Sequence, residues 1–114
     1  IFSGSAAPAA NWTAASFAAV ANEIVSMAEG HTGATRPAWT PTNTTTGSID
    51  NMTTVASLTI ATASQLNVTG AALLSSSQRG GTTGVLVSAS QYAAPRVFQN
   101  GDTYELGYRI NLTV

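Results

Sequence analysis

The chain has 114 residues, no cysteine, four basic and five acidic side chains, and a formal net charge of −1. That length suits one domain of modest size. The missing cysteines exclude a disulfide framework and a thiolate metal site, and four arginines without a lysine leave no basic surface for gripping phosphates. No apolar run reaches the roughly 20 residues of a membrane helix, because Asn22 and Glu23 interrupt the best one.

Leu, Ile, Val and Phe together number 23, whereas Ala, Thr, Ser and Gly number 59. Small, uncharged, Thr-rich material of this kind builds β-structure around a thin core that neighbouring subunits often complete. The expected architecture is therefore mainly β: a small antiparallel β-sandwich with one N-terminal α-helix. A chain opening on Ile1 rather than methionine is expected to have lost a leading segment, and no stretch of it reads as a signal peptide.

In chain order, residues 1–10 (IFSGSAAPAA) read as an extended arm punctuated by Gly4 and Pro8, with Ile1 and Phe2 as anchors for a neighbouring subunit. Residues 11–114 then form the single domain. A helix is expected over about 13–29, because Phe17, Val20, Ile24 and Met27 make one apolar stripe. Asn11 or Thr13 can cap its start, and Gly30 its end. Residues 31–50 are turn-like, with Trp39 between Pro37 and Pro41 as the only large apolar group. Trp39 either plugs the domain's own edge or anchors a contact, and Trp12 is a second contact candidate.

The second half reads as strands. Residues 52–62 alternate imperfectly, and Leu66, Val68, Ala72 and Leu74 share one face of the next strand, with Gly70 at a bulge. Glycines at 80, 81 and 84 make a turn before Val85, residues 91–98 are extended but broken by Pro95, and Asn100-Gly101-Asp102 is a strong turn signal. From Thr103 onward, Tyr104, Leu106, Tyr108, Ile110, Leu112 and Val114 occupy one face. Twelve residues at about 3.4 Å each span roughly 40 Å, so this strand either runs past its own domain or crosses from one sheet to another. Tyr104 and Tyr108 are expected to be shared between core and contact surface.

The search for chemistry yields no catalytic, cofactor-binding or metal-ligating set. His31 is the only histidine, no G-x-S-x-G elbow accompanies it, and Glu29 beside it makes too few ligands for a metal. Glu105 and Arg109 share a strand face and are expected to pair there. One pattern does exceed composition: Asn-x-Thr occurs at Asn11, Asn43, Asn51, Asn67 and Asn111. With Thr at about 15% of positions, chance gives about one such match. The pattern points either to N-glycosylation of a secreted protein or to the polar positions of alternating Thr-rich strands.

From about Leu66 onward, the run Val68-Thr69-Gly70-Ala71-Ala72-Leu73-Leu74-Ser75-Ser76, then Gly80-Gly81-Thr82-Thr83-Gly84-Val85-Leu86, Tyr92, Pro95-Arg96-Val97 and Asn100-Gly101-Asp102-Thr103, resembles a family of small tailed-bacteriophage virion proteins. The resemblance covers less than half of the chain. It implies a β-sandwich scaffold and a non-enzymatic role in decorating heads or building tails, with no cofactor. The partners would be further copies of the chain and a repeating lattice of capsid or tail protein, without nucleic acid or membrane insertion. The alternative is an N-glycosylated subunit of an extracellular filament or surface layer, assembled by strand addition through the N-terminal arm or the final strand. A carbohydrate-binding module using Trp39 and the tyrosines is the weakest reading, since those aromatics share no evident face.

Overall fold

The computed structural model describes residues 1–111. The fold is mainly β with one short helix, α1 (Ala14–Val20), followed by β1 (Gly30–His31), β2 (Ser48–Asp50), β3 (Ala56–Ala61), β4 (Leu66–Leu74), β5 (Leu86–Phe98), β6 (Thr103–Leu106) and β7 (Arg109–Asn111). Every pairing is antiparallel, in three groups: β1-β3-β6, β2-β7 and β4-β5.

The N-terminal segment departs most from its expected role. Phe2 bridges Gly70 of β4 on one side and Glu23 on the other. Its N–H donates to the Gly70 carbonyl at 3.0 Å, and its carbonyl accepts from the Thr69 N–H at 2.9 Å. On the opposite side, Ser3 and Gly4 donate to the carbonyls of Asn22 and Ala21, and Ile24 donates to that of Ile1. The Phe2 ring is fully buried, edge-on to Phe17 and Trp12 at centroid separations of 5.9 and 6.2 Å. Ile1 and Trp12 also pack against the chain's own core. This corrects the expectation of a free arm: Ile1, Phe2 and Trp12 are committed internally, because in so small a core a buried Phe contributes a large share of the apolar area. Residues 5–10 alone remain largely exposed and without regular structure.

Gly70 makes the insertion possible. A Cβ there would collide with the Phe2 ring and the Ser90 carbonyl, so the glycine is required by the close approach of three chain segments.

The helix is correct at its start and too long at its end. Thr13 caps it in a reciprocal capping box: its side chain accepts from the Ser16 N–H at 3.2 Å, and the Ser16 hydroxyl accepts from the Thr13 N–H at 3.0 Å. It ends at Val20 rather than near Glu29, since Asn22 adopts φ +54°, the left-handed conformation that closes helices and that Asn tolerates. Of the expected stripe, Phe17 and Ile24 are buried while Val20 and Met27 are exposed. The carbonyls beyond Asn22 find a different donor. The Arg79 guanidinium binds those of Ile24, Ser26, His31 and Gly33 at 3.1, 2.9, 2.8 and 2.5 Å, a charge-assisted cage that holds this non-helical stretch.

Two apolar clusters result. Ile24, Leu58, Ile60, Leu66, Val68 and Tyr104 form the larger, and Phe2, Phe17 and Ala21 the smaller. Phe2→Ala should cost about 3–5 kcal/mol, a large share of the roughly 5–15 kcal/mol that holds such a domain. Deleting residues 1–4 should abolish the cooperative urea transition. Gly70→Ala should lower the midpoint of that transition sharply, whereas Gly101→Ala, where the space is open but φ is +86°, should cost only about 1 kcal/mol of stability.

Candidate assembly surface

β5 is 13 residues long and, among the described residues, pairs along one edge only, with β4. Its register is regular from Leu73↔Ser88 to Gly70↔Gln91 and again from Val68↔Arg96 to Leu66↔Phe98. Between these stretches Thr69 stands opposite residues 92–95, an irregularity that contains Pro95. Tyr92 turns inward there and its hydroxyl bonds that of Tyr104. Burial, then that hydrogen bond, push the Tyr92 hydroxyl above its ordinary range. Arg96 lies over the Tyr92 ring, 5.1 Å from its centroid. Outward, Val85, Val87 and Val97 are 62, 54 and 53% exposed.

A cleft of about 470 Å³ opens between the two core clusters, with Trp39, Leu73, Leu74, Leu106 and Tyr108 among its walls. Its charged members are already paired. Arg36 makes a bidentate bridge to Glu23 at 2.7 and 2.8 Å and donates to the Ser76 carbonyl, while Gly80 N–H adds a bond to the same carboxylate. Both side chains are nearly buried, so breaking the pair leaves an uncompensated charge. What the cleft offers a visitor is chiefly apolar wall.

Trp39 and Tyr108 meet, as does Asn51, which was expected to be a glycan acceptor. Tyr108 donates its backbone N–H to Asn51 Oδ1 at 2.7 Å, and its carbonyl accepts from Trp39 Nε1 at 3.1 Å. Its hydroxyl donates to Ser88 Oγ on β5 at 2.9 Å. These bonds fix the break at Gly107-Tyr108, where the final segment leaves β3 and joins β2, the second of the two routes expected for it. The alternation of inward Tyr104, Leu106, Tyr108 and Ile110 with exposed Thr103, Glu105, Arg109 and Asn111 persists on both sides of the break; Leu112, Thr113 and Val114 lie outside the described residues. Tyr104 is buried, so it is a core residue.

The sequons divide. Asn51 is 1% exposed and its amide is consumed by Tyr108 and by the Leu106 carbonyl, which corrects its place among the acceptors: an oligosaccharide cannot be attached there without unfolding. Asn11, Asn43, Asn67 and Asn111 are exposed, although Thr113 of the last sequon lies outside the described residues. Arg109 pairs with Asp50 at 3.0 Å rather than with Glu105, because β7 lies against β2. Glu29 accepts from the Thr62 hydroxyl and the Ala63 N–H. His31 sits in β1 opposite Ile60. The sequence reading missed the length of β5 and the Glu23–Arg36 and Arg79 clusters. An arginine followed by two glycines was the only signal for the last, and its meaning is visible only once the loop it holds is known.

Two stability effects follow. Burial, then the charge of Arg79, lower His31 from 6.5 to about 4. The unfolded chain therefore binds an extra proton between these values, and stability present above pH 6.5 falls as the pH drops toward 4, by about 2–3 kcal/mol. His31→Gln should flatten that part of the stability profile, read from urea melts across pH. Asn51→Ala, which strands the Tyr108 N–H and the Leu106 carbonyl, should cost about 1–3 kcal/mol in the same melts.

No family model, curated protein or solved structure matches the chain.

Proposed function

We propose that the chain is a non-enzymatic structural subunit of a tailed-phage virion, seated on the repeating lattice of a head or tail. The observation that carries this reading is β5, a 13-residue strand with one unpartnered edge among the described residues and exposed valines along it. Such an edge supplies backbone donors and acceptors to a neighbour, and symmetry multiplies a modest contact into firm attachment. The β-sandwich scaffold implied by the resemblance is supported by the way β3 and β6 on one side, and β4 and β5 on the other, contribute to one apolar cluster. The arginines support a surface without nucleic-acid grip. Arg36 is spent on Glu23, Arg79 on backbone carbonyls and Arg109 on Asp50, while Arg96 lies against Tyr92.

The exposure of Asn11, Asn43, Asn67 and Asn111 favours the second reading, a glycosylated subunit of an extracellular filament or surface layer. Mass spectrometry of tailed particles purified from the chain's natural source separates the two. The virion reading expects its peptides in the particles, in many copies and at unmodified mass. Peptides confined to the extracellular fraction and carrying hexose-sized increments at those asparagines would replace it with the filament reading.

A further inference from the structure

The edge of β4 that faces away from β5 is paired at both ends and open between them. At one end Gly70 turns its N–H and carbonyl to Phe2. At the other, the Ser77 and Ser76 carbonyls accept from the Arg36 N–H and guanidinium at 2.8 and 3.0 Å. Main-chain groups alternate in direction along a strand. Gly70 points away from β5, and the Ser75 N–H points toward it, donating to the Val85 carbonyl at 2.9 Å. Ala72 and Leu74 therefore point away, as Gly70 does. The register shift beside Leu74 lies on β5, where Val87 is the extra residue, and leaves this alternation intact. No backbone N–H or carbonyl among the described residues reaches Ala72 or Leu74 from that side. Their four groups open instead onto the cleft of about 470 Å³, which Phe17, Trp39, Leu106 and Tyr108 wall on its other sides.

We infer that this slot binds three residues of an extended, uncharged, apolar peptide segment, laid beside β4 in line with Phe2, and that the segment is a free arm of a partner protein. Main-chain groups left unpaired beside apolar walls are costly. An extended peptide repeats its N–H and C=O every second residue, about 6.8 Å apart, which is the spacing from Ala72 to Leu74. The volume lies within the roughly 300–1,000 Å³ of ligand clefts. Ala72 and Leu74 pack against the Phe2–Phe17 cluster, so the side chains paired with them face apolar surface. A charged segment would find no partner, because Glu23 and Arg36 are bound to each other. Phe2 and Arg36 close the slot at its ends, which bars the edge of a folded sheet and admits a single free chain. Residues 5–10 and 40–46 of this chain, largely exposed and irregular, each carry a proline and no large aliphatic side chain, so a second copy is the poorer donor. The slot follows from the fold alone; that the arm belongs to a lattice protein rests on the virion reading.

NMR titration of the full chain with acetyl-Val-Ala-Val-amide, up to about 5 mM, tests this. The expected result is saturating shifts at the Ala72 and Leu74 amides and the Trp39 indole, half complete near about 1 mM. Methylating both valine nitrogens keeps the apolar surface but removes the donors, and should weaken binding at least about tenfold. Acetyl-Val-Asp-Val-amide should lose as much. An absence of shifts would overturn the inference, and so would equal binding of the methylated peptide, which would make the cleft a plain apolar pocket. Because the chain lacks cysteine, Ser77→Cys at the mouth of the slot can carry a benzophenone label. On purified particles that label should couple to a different protein; coupling to a second copy of this chain would overturn the choice of partner. Peptide binding by a chain absent from every particle would support the slot and remove the virion reading. A chain present in particles whose slot takes no peptide would do the reverse.

Discussion

The Phe2 ring fills the space over Gly70, and the backbone around it is bonded on both sides to parts of the chain remote in sequence. On one side lies β4, on the other the stretch Ala21–Ile24 that leaves the helix. Without this insertion α1 has no floor, since Phe17 and Ala21 bury themselves against Phe2, and β4 has no partner on the edge opposite β5. The first four residues thus act as an interior strand in all but length. A core with only three phenylalanines and two tryptophans concentrates three of those five side chains at this one place, where edge-to-face contacts add to area burial.

The rest of the N-terminal half is held by charge rather than by apolar area. Glu23 receives Arg36 and the Gly80 N–H, and Arg79 gathers four carbonyls from the loop that follows the helix. Loops without regular structure leave backbone carbonyls unpaired, and one guanidinium with several donors satisfies a cluster of them. The ion pair fixes where residues 23, 36 and 80 meet. A chain short of large apolar residues specifies its loops this way, at a desolvation cost that only full hydrogen bonding offsets. Two of the four arginines, Arg36 and Arg79, are used in this way, while Arg96 and Arg109 stay at the surface.

How much of this was legible in the sequence depended on whether the signal was local. The alternation from Tyr104 to Ile110, the turn at Asn100-Gly101-Asp102 and the Thr13 cap are carried by neighbouring residues, and they stand where periodicity and turn chemistry put them. The helix end was misjudged because Ile24 and Met27 continue a 3.6-residue period that Asn22 interrupts. A left-handed Asn is a permitted helix terminator, but nothing nearby announced that the Ala21 and Asn22 carbonyls had partners at Gly4 and Ser3. The arm failed for the same reason, since Phe2 and Gly70 are complementary across 68 positions. Of the site residues, Trp39 was singled out as the large apolar group of a loop and Tyr108 as shared between core and contact, and the structure joins them through a bond from the Trp39 indole to the Tyr108 carbonyl. The β5 edge was hidden because Pro95 divides it into two unremarkable pieces.

The central claim is that the N-terminal residues are built into the fold rather than left free as an arm. Amide hydrogen exchange on the native chain tests it most directly, because exchange at Phe2, Thr69 and Gly70 reports on the bonds around the insertion. The account predicts that these amides, with that of Ile24, exchange among the slowest in the molecule, at rates set by global unfolding. A Phe2 amide exchanging as fast as those of the exposed 82–84 turn, while Gly70 stays protected, would contradict it and return the N-terminal segment to the role of a free arm.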